Sequence, residues 1–121
     1  MPRYVDGFLL VIPKKRLADY RTIARKASKV WKDHGALDYV ECVGDELNAN
    51  PGMGTSFSKV TKLKAGELVV FSWITYKSKA HRDAVNKKVM ADKRLAAMMT
   101  DAAAFDMKRM NYGGFTVLVD A

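Results

Sequence analysis

Two histidines, His34 and His81, and two carboxylates, Asp6 and Glu41, are the residues best placed by type and neighbourhood to do chemistry. An imidazole can give or take a proton near neutral pH, so either histidine is a candidate acid or base. Each also fits a plainer role, with the ring on apolar groups and the nitrogens in water. Asp6 stands in YVDGF and Glu41 in YVECV, both amid apolar neighbours. A carboxylate in such a run needs a partner or a raised pKa. It is then either a pocket carboxylate or half of a structural salt bridge, for which Lys108 or Arg109 across a dimer is one candidate partner. Lys88 and Asp92 continue the His81 side of one helical stretch, so the three could line a polar pocket mouth or simply reach solvent. Trp73, Tyr112, Lys88 and Arg109 complete the ligand-pocket candidates. Tyr39, Trp73 and Tyr112 are residue types found more often in a core than as ligand platforms.

Other chemistries find little support. The two histidines and the single Cys42 lie far apart, without the spacing of a metal-ligand pair, so no metal is expected. There is no phosphate loop, dinucleotide fingerprint or nucleophile elbow, so no cofactor is expected either. Cys42 has no second cysteine to pair with, which suits a cytoplasmic setting, and it reads as a small buried apolar residue rather than a nucleophile. The first fifteen residues lack the pattern of a signal peptide, and no apolar run approaches the ~20 residues that span a bilayer. Charge is the outlier. Lysine and arginine number 21 against 13 acids, a net charge of +8. That favours an anionic partner. Its clearest focus is a basic ridge of Lys14, Arg21, Arg25, Lys29 and Lys32, within about 80° of one helical wheel. The ridge is a candidate polyanion-binding face, although such a ridge is more often simply a solvated helix face.

The elements that must position these groups follow from periodicity. Tyr4 to Ile12 alternates as a strand with apolar residues on both sides. Lys14 to His34 carries Leu17, Tyr20, Ile23, Ala24, Ala27, Val30 and Trp31 at helical steps, and Gly35 supplies its stop. Leu37 to Val43 is a second strand. Asp45 to Thr55 is turn-rich, and Ser58 to Leu63 reads as a short extended segment. Glu67 to Tyr76 is the strongest strand, rich in β-branched and aromatic residues. Ser78 is the expected N-cap of a second helix that continues, or restarts near Asp92, toward Met99. Thr100 to Phe105 reads as a linker. Met110 to Val119 is the last strand, where Gly113-Gly114 suggests a bulge or a close approach of another backbone.

Strand, helix, strand, strand, helix, strand is the split βαβ plan. It predicts an α+β, ferredoxin-like single domain over residues 1–121: a four-stranded antiparallel sheet with both helices on one face. Strands that are apolar on both sides leave several hundred Å² of greasy surface, on the order of the largest patches monomers tolerate, opposite the helices. The expected cover is the same face of a second copy, which makes a dimeric α+β barrel. The alternative cover is the chain's own loop, Asp45 to Lys64.

YVDGF (Tyr4 to Phe8), GAL and VEC (Gly35 to Leu37, Val40 to Cys42), VVFSWI (Val69 to Ile74), KRM (Lys108 to Met110) and YGGF (Tyr112 to Phe115) together resemble the domain family DUF1428. The resemblance covers nearly the whole chain. It implies a bacterial protein and the dimeric barrel form of the fold, and it supplies no catalytic residues. Two departures stand out: Lys93 where proline is expected after Asp92, and Phe105, Asp106 and Met107 where FDG is expected. Two functions remain open. One is a small-molecule binder or cofactor-free enzyme with a pocket between helices and sheet. The other is an RNA or other polyanion binder using the basic ridge.

Overall fold

The computed structural model describes residues 2–48, 50–98 and 107–121. Four strands, β1 (Tyr4–Pro13), β2 (Asp38–Val43), β3 (Glu67–Tyr76) and β4 (Asn111–Thr116), form one antiparallel sheet in the order β2-β3-β1-β4. The long central pair runs in unbroken register from Tyr4 opposite Tyr76 to Pro13 opposite Glu67. β2 flanks β3, with Asp38 opposite Thr75. β4 flanks β1, with Tyr4 opposite Thr116. The split βαβ plan read from periodicity is thus the architecture found.

Helix α1 (Leu17–Asp33) follows a short 3-10 turn, Lys14–Arg16, so the helix proper begins three residues later than its periodicity suggested. It stops at His34, and Gly35 follows with φ of +113°, a conformation that glycine takes without the steric cost of a Cβ. Helix α3 (Lys79–Met90) is capped by Ser78, whose hydroxyl accepts from the His81 N–H at 3.1 Å. The helix does restart after Asp92, as α4 (Lys93–Met98). Lys93 is therefore a first helical residue, a position that tolerates proline. The substitution there leaves the element intact.

Two expectations fail. The stretch Ser58 to Leu63 is not extended: one helical turn, α2 (Phe57–Val60), forms there, capped by the Ser56 hydroxyl. A single turn is too short to display a helical period, so only the cap residue announces it. Gly113 and Gly114 make no bulge, since Gly7 and Asp6 pair with them in regular register. The close approach is by a side chain instead. A Cβ on Gly114 would lie 2.8 Å from the ring of Tyr4. The predicted linker Thr100 to Phe105 lies outside the described residues, as do Phe105 and Asp106.

The helix side of the sheet holds the core. Val30, Ala36, Ile74, Tyr76, Val85 and Val89 form one buried cluster, and Leu10, Ile12, Tyr20 and Val70 form a second nearer the start of α1. The opposite side is only partly covered. Val11 and Val69, paired there, are buried. Phe57 of α2 brings its ring within 6.2 Å of the Phe71 ring, so the loop after β2 reaches this face. It does not finish the task. Phe71 stays 42% exposed and Phe115 61% exposed, and Cys42 beside Phe71 is exposed as well. Cys42 is therefore not the buried residue expected. It lies on the open face, out of the helix-side core.

Candidate active site

Both strand carboxylates face the helices, and their surroundings differ. Asp6 is 6% exposed and accepts from Arg82 Nη1 of α3 at 2.7 Å. The guanidinium also lies 4.8 Å from the centre of the Tyr4 ring, a cation–π contact that holds it over β1. Asn86 stands one turn further along α3. Its Oδ1 accepts from Trp31 Nε1 and from the Tyr76 hydroxyl, each at 3.2 Å. Burial raises the Asp6 pKa, while Arg82, Asn86 and Tyr76 oppose the rise. This is a closed structural network joining β1, β3, α1 and α3.

Glu41 on β2 has no such cation. One of its oxygens accepts a short hydrogen bond from the Tyr20 hydroxyl of α1, and the other accepts from the Tyr39 hydroxyl at 2.9 Å. No ion-pair partner stands beside it among the described residues. Burial pushes its pKa up, and the two phenols only partly offset that. Burial and the neighbouring carboxylate hold both phenols well above the ordinary tyrosine range, so they stay protonated as donors. Each carboxylate oxygen has two lone pairs, and the tyrosines use one on each. The group borders a cavity of about 320 Å³ between α1 and β2, walled also by Leu17, Arg21, Ala24, Arg25 and Val70. Helical spacing from Leu17 through Tyr20 to Ala24 sets these residues on one inward face, and β2 brings Tyr39 and Glu41 up beneath them.

The histidines are drawn into other work. His34 Nε2 lies 2.8 Å from Asp92 Oδ2, and Arg94 binds the same carboxylate and Asp33. Arg94 first, then His34, holds the Asp92 pKa well below the usual carboxylate range. The cluster ties the end of α1 to the α3–α4 junction. His81 Nδ1 accepts from the Lys77 N–H at 3.0 Å, and its ring meets Tyr76 edge-on. It belongs to the start of α3. The expected row of His81, Lys88 and Asp92 does not assemble, because Asp92 turns to His34 and Lys88 is exposed.

The proposed pocket set of Trp73, Tyr112, Lys88 and Arg109 is also dispersed. Trp73 stands on the open face against Phe71, and Tyr112 stacks on Phe8 on the helix side, 74% exposed. Arg109 grips Glu67 with both nitrogens, at 2.6 and 3.1 Å, and reaches the carbonyls of Thr61 and Lys62. The salt-bridge expectation is corrected in its partners. Asp6 pairs with Arg82 of its own chain, Glu41 with two phenols, and Arg109 with Glu67. Of the basic ridge, Arg21, Arg25, Lys29 and Lys32 project from α1. Lys14 precedes the helix, Lys29 meets Asp33 at 3.7 Å, and Lys32 reaches the Leu37 carbonyl at 2.6 Å. Among the described residues, no group of three histidine, cysteine, aspartate or glutamate side chains could hold a metal ion, and no helix is long and apolar enough to cross a membrane.

Sequence reasoning missed Tyr20, Arg82 and Asn86. Tyr20 sat in the inward stripe of α1 as one more core residue. Its hydroxyl, the one side-chain oxygen in that row, was the available signal.

The sheet order and the helices on one side define an α+β, ferredoxin-like protein. The chain belongs to the DUF1428 family, "Protein of unknown function", whose model matches residues 3–107. The "Uncharacterized protein YbaA" of Escherichia coli K12 is 42% identical over 118 residues, 98% of each chain. Among solved structures, a dimeric ferredoxin-like protein from an uncultured marine organism matches all of both chains with a TM-score of 0.66 at 12% identity. SnoaB, a cofactor-independent oxygenase from Streptomyces nogalater, matches with a TM-score of 0.59 at 9% identity, over 99% of this chain and 97% of its own. At such identities these two establish shared fold alone.

Proposed function

We propose that this protein is a homodimer that binds a small molecule in the cavity between α1 and β2 and moves a proton to or from it with Glu41. One observation carries the reading: a carboxylate in a cavity wall, held by two phenols and no cation. A carboxylate without a cation keeps its basicity, and burial increases it. Its free lone pairs can accept a proton from an acidic C–H or O–H brought within about 3 Å. The neutral phenols beside it hold its orientation, each spending its single O–H on one carboxylate oxygen. The chemistry asks nothing of a metal or organic cofactor. A cofactor-independent oxygenase on the same fold supports the choice of an enzyme by fold analogy.

The dimer reading rests on the open face, where Phe71, Phe115 and Cys42 remain exposed after the loop has done its part. The ferredoxin-like neighbour described as dimeric supports it. Pairing through that face would leave the helix-side cavity open to solvent. Sedimentation at micromolar concentration should give twice the 13.5 kDa chain mass, and Phe71→Asp should return it to single copies.

The functional test is a small-molecule screen read by thermal shift, followed by turnover of the hits. A specific stabiliser should emerge. Glu41→Gln should bind it still but lose about 100-fold or more in any proton-transfer rate. Full turnover by Glu41→Gln would sink the acid–base role.

A further inference from the structure

The basic ridge meets the Glu41 cavity at two of its residues. Arg21 and Arg25, one turn apart on α1, belong to the cavity wall that also carries Tyr20, Tyr39 and Glu41. Of the cations nearby, Arg16 in the preceding turn bonds Asp19 at 2.6 Å, Lys29 approaches Asp33, and Lys32 reaches the Leu37 carbonyl. Arg21 and Arg25 have no acidic partner among the described residues. Their neighbours three and four positions away are Leu17, Ala18, Thr22, Ala24, Ser28 and Lys29, besides each other. Like charges at this spacing oppose helix formation by a small amount. The cavity therefore has polarity along its depth. Two guanidiniums with free donors stand at the solvent side, and a carboxylate held only by phenols stands inside.

Resting on the cavity reading above, we infer that the ligand is a small organic anion. Its carboxylate or phosphate is held at the mouth by Arg21 and Arg25, and its neutral apolar or aromatic body reaches in toward Glu41. The orientation follows from charge. An anionic group beside Glu41 would face a second carboxylate with no cation between them, whereas at the mouth it meets two guanidiniums able to bind it with paired N–H donors. Leu17, Ala24 and Val70 supply apolar wall for the body. The volume of about 320 Å³ suits one or two fused rings rather than a polymer. The site differs from a nucleic-acid face in needing depth as well as charge.

The test uses three probes of one shape on the intact protein: 2-naphthoate, 2-naphthyl phosphate and the neutral 2-naphthamide. Ring signals of Tyr20 and Tyr39 are followed by NMR and assigned with Tyr20→Phe and Tyr39→Phe. At least one anion should move both signals at concentrations about tenfold or more below those the amide needs, the size expected for a charge-assisted pair. Which anion is stronger tells carboxylate from phosphate ligands. The double variant Arg21→Gln/Arg25→Gln should erase the advantage and keep the amide response. An amide as effective as the anions, or an unchanged preference in the double variant, overturns the inference and leaves the cavity reading standing. No movement of either tyrosine with any probe at millimolar concentration overturns both. A single-stranded RNA that binds through Arg21 and Arg25 while the naphthyl anions do not would replace the small anion with a polymer.

Discussion

Asp6 and Glu41 occupy matching situations, each a carboxylate on an apolar strand beneath a helix, and the protein treats them in opposite ways. At Asp6 a guanidinium arrives from α3, an aromatic ring covers it, and Asn86 links two further donors into the same patch. That charge is matched and sealed. At Glu41 only phenols arrive, from α1 and from β2 itself, and open volume lies beside them. Burial in itself does not mark a functional carboxylate. A buried carboxylate with a cation is a brace, and Glu41, with neutral donors beside a cavity, is the proposed reagent.

The largest effect should separate the two sites by stability. Asp6→Ala breaks the buried half of the Arg82 pairing and should cost about 2–4 kcal/mol, toward the low end because Arg82 keeps Asp83 at 2.8 Å and some contact with water. Glu41→Gln keeps hydrogen-bonding groups for both phenols and should cost about 1 kcal/mol or less. Urea unfolding of the two variants is the check. Equal losses would erase the distinction between brace and reagent.

A smaller effect probes the packing on the Asp6 side. Gly114→Ala drives a methyl group into the Tyr4 ring, which itself carries Arg82, and should cost about 1–3 kcal/mol. Gly113→Ala meets only the Phe115 ring at 3.7 Å, an ordinary contact, and should be neutral or slightly stabilising. A reversed order in thermal unfolding would mean that Tyr4 is not fixed by the Arg82 network.

The smallest effect is a pH dependence on the Glu41 side. Tyr20 and Tyr39 have raised pKa values, so the folded state prefers their protonated forms. Their contribution to stability is complete below the unfolded value of about 10 and is lost as the pH climbs above it. Glu41 follows the same sign in the acid range: its folded pKa is raised, so its contribution is greatest below the unfolded value of about 4.3 and falls as pH rises through the folded one. Alkaline absorbance titration should show Tyr20 and Tyr39 ionising only as the protein unfolds, with Tyr20→Phe removing one from that delayed step. Ionisation of both near pH 10 in the folded protein would mean that they are not held against Glu41.

The fold was legible because it is written in repeating patterns. The long apolar, β-branched and aromatic runs of β1 and β3 and the inward stripe of α1 each span many residues, so single exceptions do not obscure them. The one-turn α2 has no period to show, and its loop could not be read beyond its turn residues. Glu41 was legible as a carboxylate among Val40, Cys42 and Val43. Of its partners, Tyr39 lies two positions along the same strand face and reads locally as a core aromatic, while Tyr20 lies 21 residues away in the inward stripe of α1. Arg82 lies 76 residues from Asp6, and no local pattern joins them. Nor could a helical wheel reveal that Arg21 and Arg25 overhang the cavity. A wheel orders residues around one axis and says nothing of the strand beneath it.

The most direct test is a carboxyl-carbon NMR titration of Glu41 in the wild-type protein and in Tyr20→Phe. The account predicts a wild-type midpoint above the ordinary glutamate value of about 4.3, and a further rise when one of the phenol donors that stabilise the charge is removed. A midpoint at or below the ordinary value, unmoved by Tyr20→Phe, would contradict it.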